Sequence, residues 1–450
     1  MRIMQRRIHY FAIFILIECL LFTCGCSSSN ILANSNQDKE AAGKDLASSN
    51  SGALEYLSDR AETDGYSSTN GYYRIITREN ATANLCYIDF ATNKEIYLCN
   101  QPNCSHDSES CTSFIPFSNG VMLPVPISDK IVLLHGGNPS YAEFLGSDAL
   151  AKIELLNADG SERHTIAEFA PTEQISQLPR GGMARNDRYV YFVLTDTISN
   201  ERKLYRADIQ TETAEFVYLF DKDEERIVGC IGDDIVISFT AGANNLTLDP
   251  EQLETQVFRL NPSTKEEVPL FSYSFTSQAA CDGNLYAVLS SNGTIQSYDL
   301  KTGKTLSQNS LITPIDFSTA KFYGCFDGNF LIAAYETPKE LTDEFNTSAY
   351  APTYYAIDIR TGEQKELPYI YYTTYGSGNE TFTKGDVSFI AAETDNEYMC
   401  CNGMNPTIVE FPKNDGTTVE LPYNIPSYAM VKKDDFWNGV GVFTPIERIQ

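Results

Sequence analysis

Asp282-Gly283-Asn284-Leu285, an Asx and glycine turn that opens an apolar run, is followed by Tyr298-Asp299 and Thr302-Gly303, a second turn that closes a strand. The first turn recurs as Asn70-Gly71-Tyr72-Tyr73, Asp129-Lys130-Ile131-Val132, Asp187-Arg188-Tyr189-Val190, Asp233-Asp234-Ile235-Val236, Asp327-Gly328-Asn329-Phe330 and Asp395-Asn396-Glu397-Tyr398. The second recurs at Ile88-Asp89, Leu156-Asn157, Ala207-Asp208, Leu260-Asn261, Ile357-Asp358 and from Phe411 to Gly416. Asx and Gly supply the geometry that joins paired strands, so each unit reads as a four-stranded antiparallel meander. The period, roughly 40 to 70 residues, is that of radial repeats.

One meander cannot bury both faces, whereas seven around a channel can. The predicted fold is therefore all-β, a β-propeller of seven blades over residues 70–450. An eighth opening, Lys433-Asp434-Asp435-Phe436, has no second turn after it. Its strands either complete the first blade or begin an eighth, and a β-solenoid or two sandwiches are the alternative architectures. Within a meander the first and third connections share one edge, and the second connection and the link to the next blade share the other. The long insertions 136–150, 241–255 and 336–352 fall in the second connection, and the link 369–385 joins them. One face thus gathers the long loops, where binding usually resides.

The chain has 450 residues, 42% hydrophobic and 12% aromatic, enough for a large core. Its formal charge is −27, a field that repels phosphate backbones and excludes nucleic acid as a partner. Arg2, Arg6 and Arg7 precede an apolar run from Phe11 to Phe22 that is short for a membrane span and ends in small residues. Residues 1–25 read as a signal peptide. The segment Leu21-Phe22-Thr23-Cys24-Gly25-Cys26-Ser27 resembles the lipobox of bacterial lipoproteins, which implies acylation of Cys26 and a lipid anchor in the cell membrane, facing outside the cytoplasm. Residues 26–69 are rich in Ser, Asn, Ala, Asp and Glu and read as a disordered tether, with one helical turn at most around Leu54, Tyr56 and Leu57.

The sharpest local motif is Cys99-Asn100-Gln101-Pro102-Asn103-Cys104-Ser105-His106-Asp107-Ser108-Glu109-Ser110-Cys111. Three thiolates and an imidazole suit a tetrahedral zinc, and in an exported chain two of the cysteines equally suit a disulfide. Either would be structural, since the segment links two blades. Together with Tyr72-Tyr73 and Leu85-Cys86-Tyr87-Ile88-Asp89, this segment resembles the opening blade of uncharacterised propeller-like lipoproteins of Gram-positive, clostridia-type bacteria. The resemblance implies a surface lipoprotein and brings no activity with it.

Cys230, Cys281 and Cys325 hold equivalent places before three opening turns, as buried inner-strand residues would, and Cys400 and Cys401 point to opposite faces of a strand. The acidic run Asp221, Asp223, Glu224 and Glu225 reads as a solvated loop without calcium-loop spacing. Tyr369, Tyr371, Tyr372 and Tyr375 form the candidate ligand-binding cluster, suited to stacking on a glycan or peptide, with strand packing as the plainer account. Catalytic motifs are missing: no Gly-x-Ser-x-Gly elbow, phosphate loop or His-Glu-x-x-His occurs, and only His106, His135 and His164 follow the signal. The expected function is a ligand- or protein-binding module on the cell surface, leaning away from enzymatic activity, with an envelope protein, glycan or peptide as partner. A carbohydrate-active hydrolase or lyase on the same scaffold is the alternative.

Overall fold

The computed structural model describes residues 52–57 and 64–448, apart from 117–121, 140–148, 176–181, 223, 246, 312–319, 336–338, 341–347, 351, 376–380 and 414; at 335, 339–340, 348–350, 372–375 and 381–384 it describes the backbone alone. The signal peptide and Cys26 lie outside these residues. The described strands form seven antiparallel sheets in chain order, one per repeat, and the protein is a seven-bladed β-propeller.

Blade 1 is Gly65–Ser67, Gly71–Thr77, Ala83–Asp89 and Lys94–Tyr97, and blade 2 is Met122–Ile127, Lys130–His135, Lys152–Asn157 and His164–Glu168. In blade 3 a broken first strand, Glu173–Ile175 and Met183–Arg185, precedes Tyr189–Asp196, Arg202–Asp208 and Thr213–Phe220. Blade 4 runs from Arg226–Ile231 to Glu267–Ser274, blade 5 from Gln278–Asp282 to Thr305–Ser310, and blade 6 from Ala320–Phe326 to Gln364–Leu367. Blade 7 is Thr381–Glu393, Glu397–Pro412, Thr418–Lys432 and the short Thr444–Pro445. First strands touch between blades 1 and 2, 3 and 4, 4 and 5, 5 and 6, and 7 and 1, which places them innermost around the channel.

Burial follows from this arrangement. The second strands are sandwiched between blades and are largely apolar; in Lys130–His135 every residue after the lysine is buried. The outer strand of blade 1, Lys94–Tyr97, alternates between exposed and covered residues, because one side meets solvent. The repeated turn residues act as expected. Asp89, Asp208, Asn261, Asp299 and Asp358 each accept a hydrogen bond from a backbone N–H two or three residues on, the same turn in five blades. Gly303 closes one of them at φ 70°, where a Cβ would lie 2.6 Å from the Leu270 carbonyl oxygen.

Three expectations are corrected. The eighth opening is a six-residue helix, Lys433–Asn438, that replaces the third connection of blade 7; Phe436 is buried there against Tyr369 and Tyr398. The turn from Phe411 to Gly416, expected as the third connection of that blade, is its second, the tip of a long hairpin. The stretch 26–69, expected as a disordered tether, contains two strands. Gly65–Ser67 is the first strand of blade 1, and Glu55–Leu57, expected as at most a helical turn, is a strand paired with Met183–Arg185 of blade 3. Leu54 and Leu57 are buried between blades, which supplies the ordering that local composition does not.

Blades 7 and 1 meet at a seam. Glu447–Arg448 runs parallel to Lys94 and Glu95 on the outer strand of blade 1, so the last strand joins blade 1 rather than an eighth blade. Inside the seam, the buried Arg74 guanidinium forms ion pairs with Asp64 at 3.0 Å and Glu95 at 3.5 Å, and donates to the Pro426 carbonyl of blade 7 at 3.0 Å. Tyr72 and Tyr428 both donate to Asp64 Oδ1, at 3.0 and 2.6 Å.

Candidate metal centre and the long-loop face

The Cys and His segment follows the outer strand of blade 1 and ends in Phe114–Ile115, which pairs with Ala83 and Asn84 of the same blade. It therefore sits at the end of blade 1 that carries its second connection. Positive φ values at Asn103 and His106 fold the loop back on itself, and Gln101 Nε2 donates to the Ser110 carbonyl at 2.8 Å across it. Asn84 Nδ2 on the blade donates to the His106 carbonyl at 2.9 Å.

This folding brings the ligand atoms of Cys99, Cys104, His106 and Cys111 within 4.8 Å of one another. His106 Nδ1 lies 3.3 Å from Cys111 Sγ, and the His106 ring stacks on Tyr97 with centroids 4.3 Å apart. The His106 amide donates to Cys104 Sγ at 3.4 Å, and Cys111 Sγ lies 3.1 Å from Ser113 Oγ. Tetrahedral zinc with Zn–S near 2.3 Å and Zn–N near 2.0 Å sets its ligand atoms about 3.5–3.8 Å apart, so the cluster needs only small side-chain rotations to match. None of the nine described cysteines is in a disulfide.

The electrostatics suit a cation. Burial opposes ionisation of Cys99, but hydrogen bonds from the Gln101 backbone and the neighbouring thiols outweigh it and bring its pKa below the usual thiol value. At Cys104 the bond from the His106 amide and partial burial act against each other, and the two neighbouring thiols then raise it, because three thiolates cannot ionise together without a countercharge. Burial, helped by the Arg78 charge, lowers His106 and keeps its ring neutral, the form that binds metal. A divalent cation is the countercharge this set lacks.

The tyrosine cluster divides. Tyr369 and Tyr371 are buried in the core of blades 6 and 7, and Tyr369 donates to the Phe436 carbonyl at 2.5 Å, so these two pack rather than stack on a ligand. Tyr372 and Tyr375 lie on the strand Tyr371–Tyr375, and their side chains are outside the described residues. Glu225 departs from the expected solvated run: it is fully buried, accepts from the Lys222 amide at 3.1 Å and from the Tyr218 hydroxyl at 3.2 Å, and burial raises its pKa. Cys230 and Cys325 are buried and Cys281 half-buried on three successive first strands, and burial pushes the Cys281 thiol up to about 12.

The long-loop face holds a feature that the repeat did not announce. The first three strands of blade 7 have 13, 16 and 15 residues, against 5, 5 and 6 in the first three strands of blade 5. Their extra length projects beyond the ring on the side of the second connections. There Thr381–Gly385 pairs with Tyr371–Tyr375, which pairs in turn with Ser348–Tyr350 from the insertion of blade 6. The hairpin carries exposed Ile408, Leu421 and Tyr423 and is tied to blade 1 by the Glu410 amide, which donates to the Glu79 carbonyl at 2.7 Å.

No family model matches the chain, and no curated protein matches it. Among solved structures it is similar to the β-propeller domain of the Trilobed protease from Pyrococcus furiosus, at 12% identity over 75% of this chain and 95% of that one, with a TM-score of 0.41. It is also similar to TolB from Acinetobacter baumannii, at 15% identity over 79% of each chain with a TM-score of 0.30. A computationally designed protein, Ika8, gives 11% identity over 83% of this chain and all of that one, with a TM-score of 0.37. At these scores the fold rests on the seven sheets themselves.

Proposed function

We propose that the protein is a lipid-anchored, extracytoplasmic propeller that binds a ligand or protein partner on its long-loop face, with a zinc ion holding the 99–111 loop against blade 1. The raised sheet of blade 7 carries the binding reading. A ring needs strands only as long as its neighbours, so a six-strand extension on one face, with apolar side chains left exposed at its rim, is surplus to folding. Engagement of the three described histidines favours binding over catalysis. His106 sits among the cysteines, His135 is buried on Glu154, and His164 pairs with Glu212 beside a third connection on the other face. The partner is a glycan, a peptide or an envelope protein.

The test replaces residues 406–424 with an Asn-Gly turn and screens the full chain and the variant on glycan and peptide arrays. Binding lost in a variant with an unchanged melting temperature supports the reading, and binding undiminished by the replacement overturns it. The anchor is tested separately. Cys26→Ala moves the protein from the membrane fraction to the soluble fraction, and an unchanged distribution removes lipidation from the proposal.

A further inference from the structure

Residues 52–57 belong to no blade, and the ring is complete without them. They nonetheless lie on the channel wall, where Glu55–Leu57 adds antiparallel to Met183–Arg185, the innermost strand of blade 3. The Leu54 amide donates to the Gly232 carbonyl of blade 4 at 2.8 Å. Leu54 is buried between blades 3 and 4 beside Ile227 and Ile235, and Leu57 between blades 2 and 3 beside Leu123 and Met183. The Glu55 carboxylate receives both Nε and Nη2 of Arg185, at 2.8 and 3.2 Å, while Arg185 Nη1 is fixed on the Pro126 carbonyl of blade 2 at 2.7 Å. The guanidinium is thus held by the ring and aimed at the channel. Its side chain is 12% exposed, whereas that of Glu55 is 59% exposed.

We propose that this wall is a peptide-binding site occupied in the resting protein by its own residues 52–57, and that it takes an extended peptide of a partner protein with an acidic residue between two apolar ones. The recognition is strand addition, with main-chain hydrogen bonds for affinity and two apolar pockets and one arginine clamp for specificity. The occupant is held lightly: three residues pair, two leucines are buried, and the ordering of half a dozen residues opposes both. This site lies in the channel, apart from the raised sheet, so each stands if the other fails.

The test uses the full chain and a fluorescein-labelled octapeptide of residues 51–58, Ser-Gly-Ala-Leu-Glu-Tyr-Leu-Ser, read by anisotropy. Leu54→Asp with Leu57→Asp expels the resident segment and is expected to bind the probe at least tenfold more tightly than the wild type. Adding Arg185→Glu to that variant abolishes the gain, and a probe with arginine in place of its glutamate restores it. Equal binding to wild type and variant, or no binding by a variant that melts as the wild type does, overturns the proposal. Hydrogen exchange of the wild type decides the matter if the variant fails to fold. The Leu54 amide exchanges at least tenfold faster than those of Tyr189–Asp196, and equal protection would make the segment part of the core and refute the site. Light scattering that gives a dimer joined by exchanged segments would overturn the assignment of the occupant to the same chain.

Discussion

Removal of the metal from the Cys and His loop is the most exposing perturbation. The loop is joined to the ring through Asn84, which donates to the His106 carbonyl, through the Leu85 amide, which donates to the Ser113 carbonyl at 2.8 Å, and through Arg163 of blade 2, whose Nη2 donates to the Phe114 carbonyl at 2.7 Å. Opening it uncovers the buried Phe114 and Ile115, so metal binding is coupled to the cooperative unfolding of the ring. A ligand held only by the native state, at a thousand times its Kd, adds about 4 kcal/mol. With an unfolding entropy near 2.1 cal/mol/K per residue, or about 0.8 kcal/mol per kelvin for a ring of this length, the melting temperature falls by about 5 °C when zinc is stripped. The assay is calorimetry with and without chelator, beside elemental analysis of protein purified anaerobically. The expected result is near one zinc per chain, lost in His106→Ala with the same drop in melting temperature and released below about pH 5 as the ligands regain protons. Metal-free protein with two thiols fewer than the nine described cysteines provide would make the loop a disulfide staple and refute the reasoning.

Three further outcomes follow from packing and charge. Burial opposes ionisation of Glu154, but the hydrogen bond from His135 at 2.8 Å and the charges of Lys152 and Arg163 hold its pKa at about 2. Its folded value thus lies below an unfolded one of about 4.3, so Glu154→Gln costs up to about 3 kcal/mol in urea melts above pH 5, and the difference fades as pH falls towards 2. Arg74→Ala leaves the half-buried Asp64 and the buried Glu95 without their cation at the seam and costs about 3–5 kcal/mol in the same assay. Phe436→Ala empties a fully buried site among Tyr369, Tyr398 and Trp437, and lowers stability by about 3–5 kcal/mol in denaturant titration.

The blade count was legible because the turn chemistry repeats: the Asp and Asn residues of the third connections accept the same backbone bond in five of the seven blades. Blade 7 broke the pattern. Its hairpin tip at 413–417 carries the same Asx and Gly composition as a third connection, since both are tight antiparallel turns, and only strand length separates them. The Cys and His cluster was legible from spacing because all four residues lie within one loop. Tyr369 and Tyr371 were not, for alternating tyrosines look alike whether they face a ligand or a neighbouring blade. Glu55–Leu57 was illegible for a deeper reason: its partner, Met183–Arg185, is far along the chain, and three residues of strand carry no period of their own.

The four main strands of every described blade come from one continuous stretch of chain, to which distant segments add only at the margins, Glu447–Arg448 on blade 1, Glu55–Leu57 on blade 3 and Ser348–Tyr350 in the sheet of blade 7; blades 7 and 1 meet as neighbours across the seam held by Arg74 and Glu447–Arg448. The blades can therefore form one after another as the chain emerges from its amino-terminal end, each templated on the last. The seam is the final joint to close and the first that mechanical load would open, so a pull applied between the chain ends would peel the ring from blades 7 and 1 rather than tear any sheet in two.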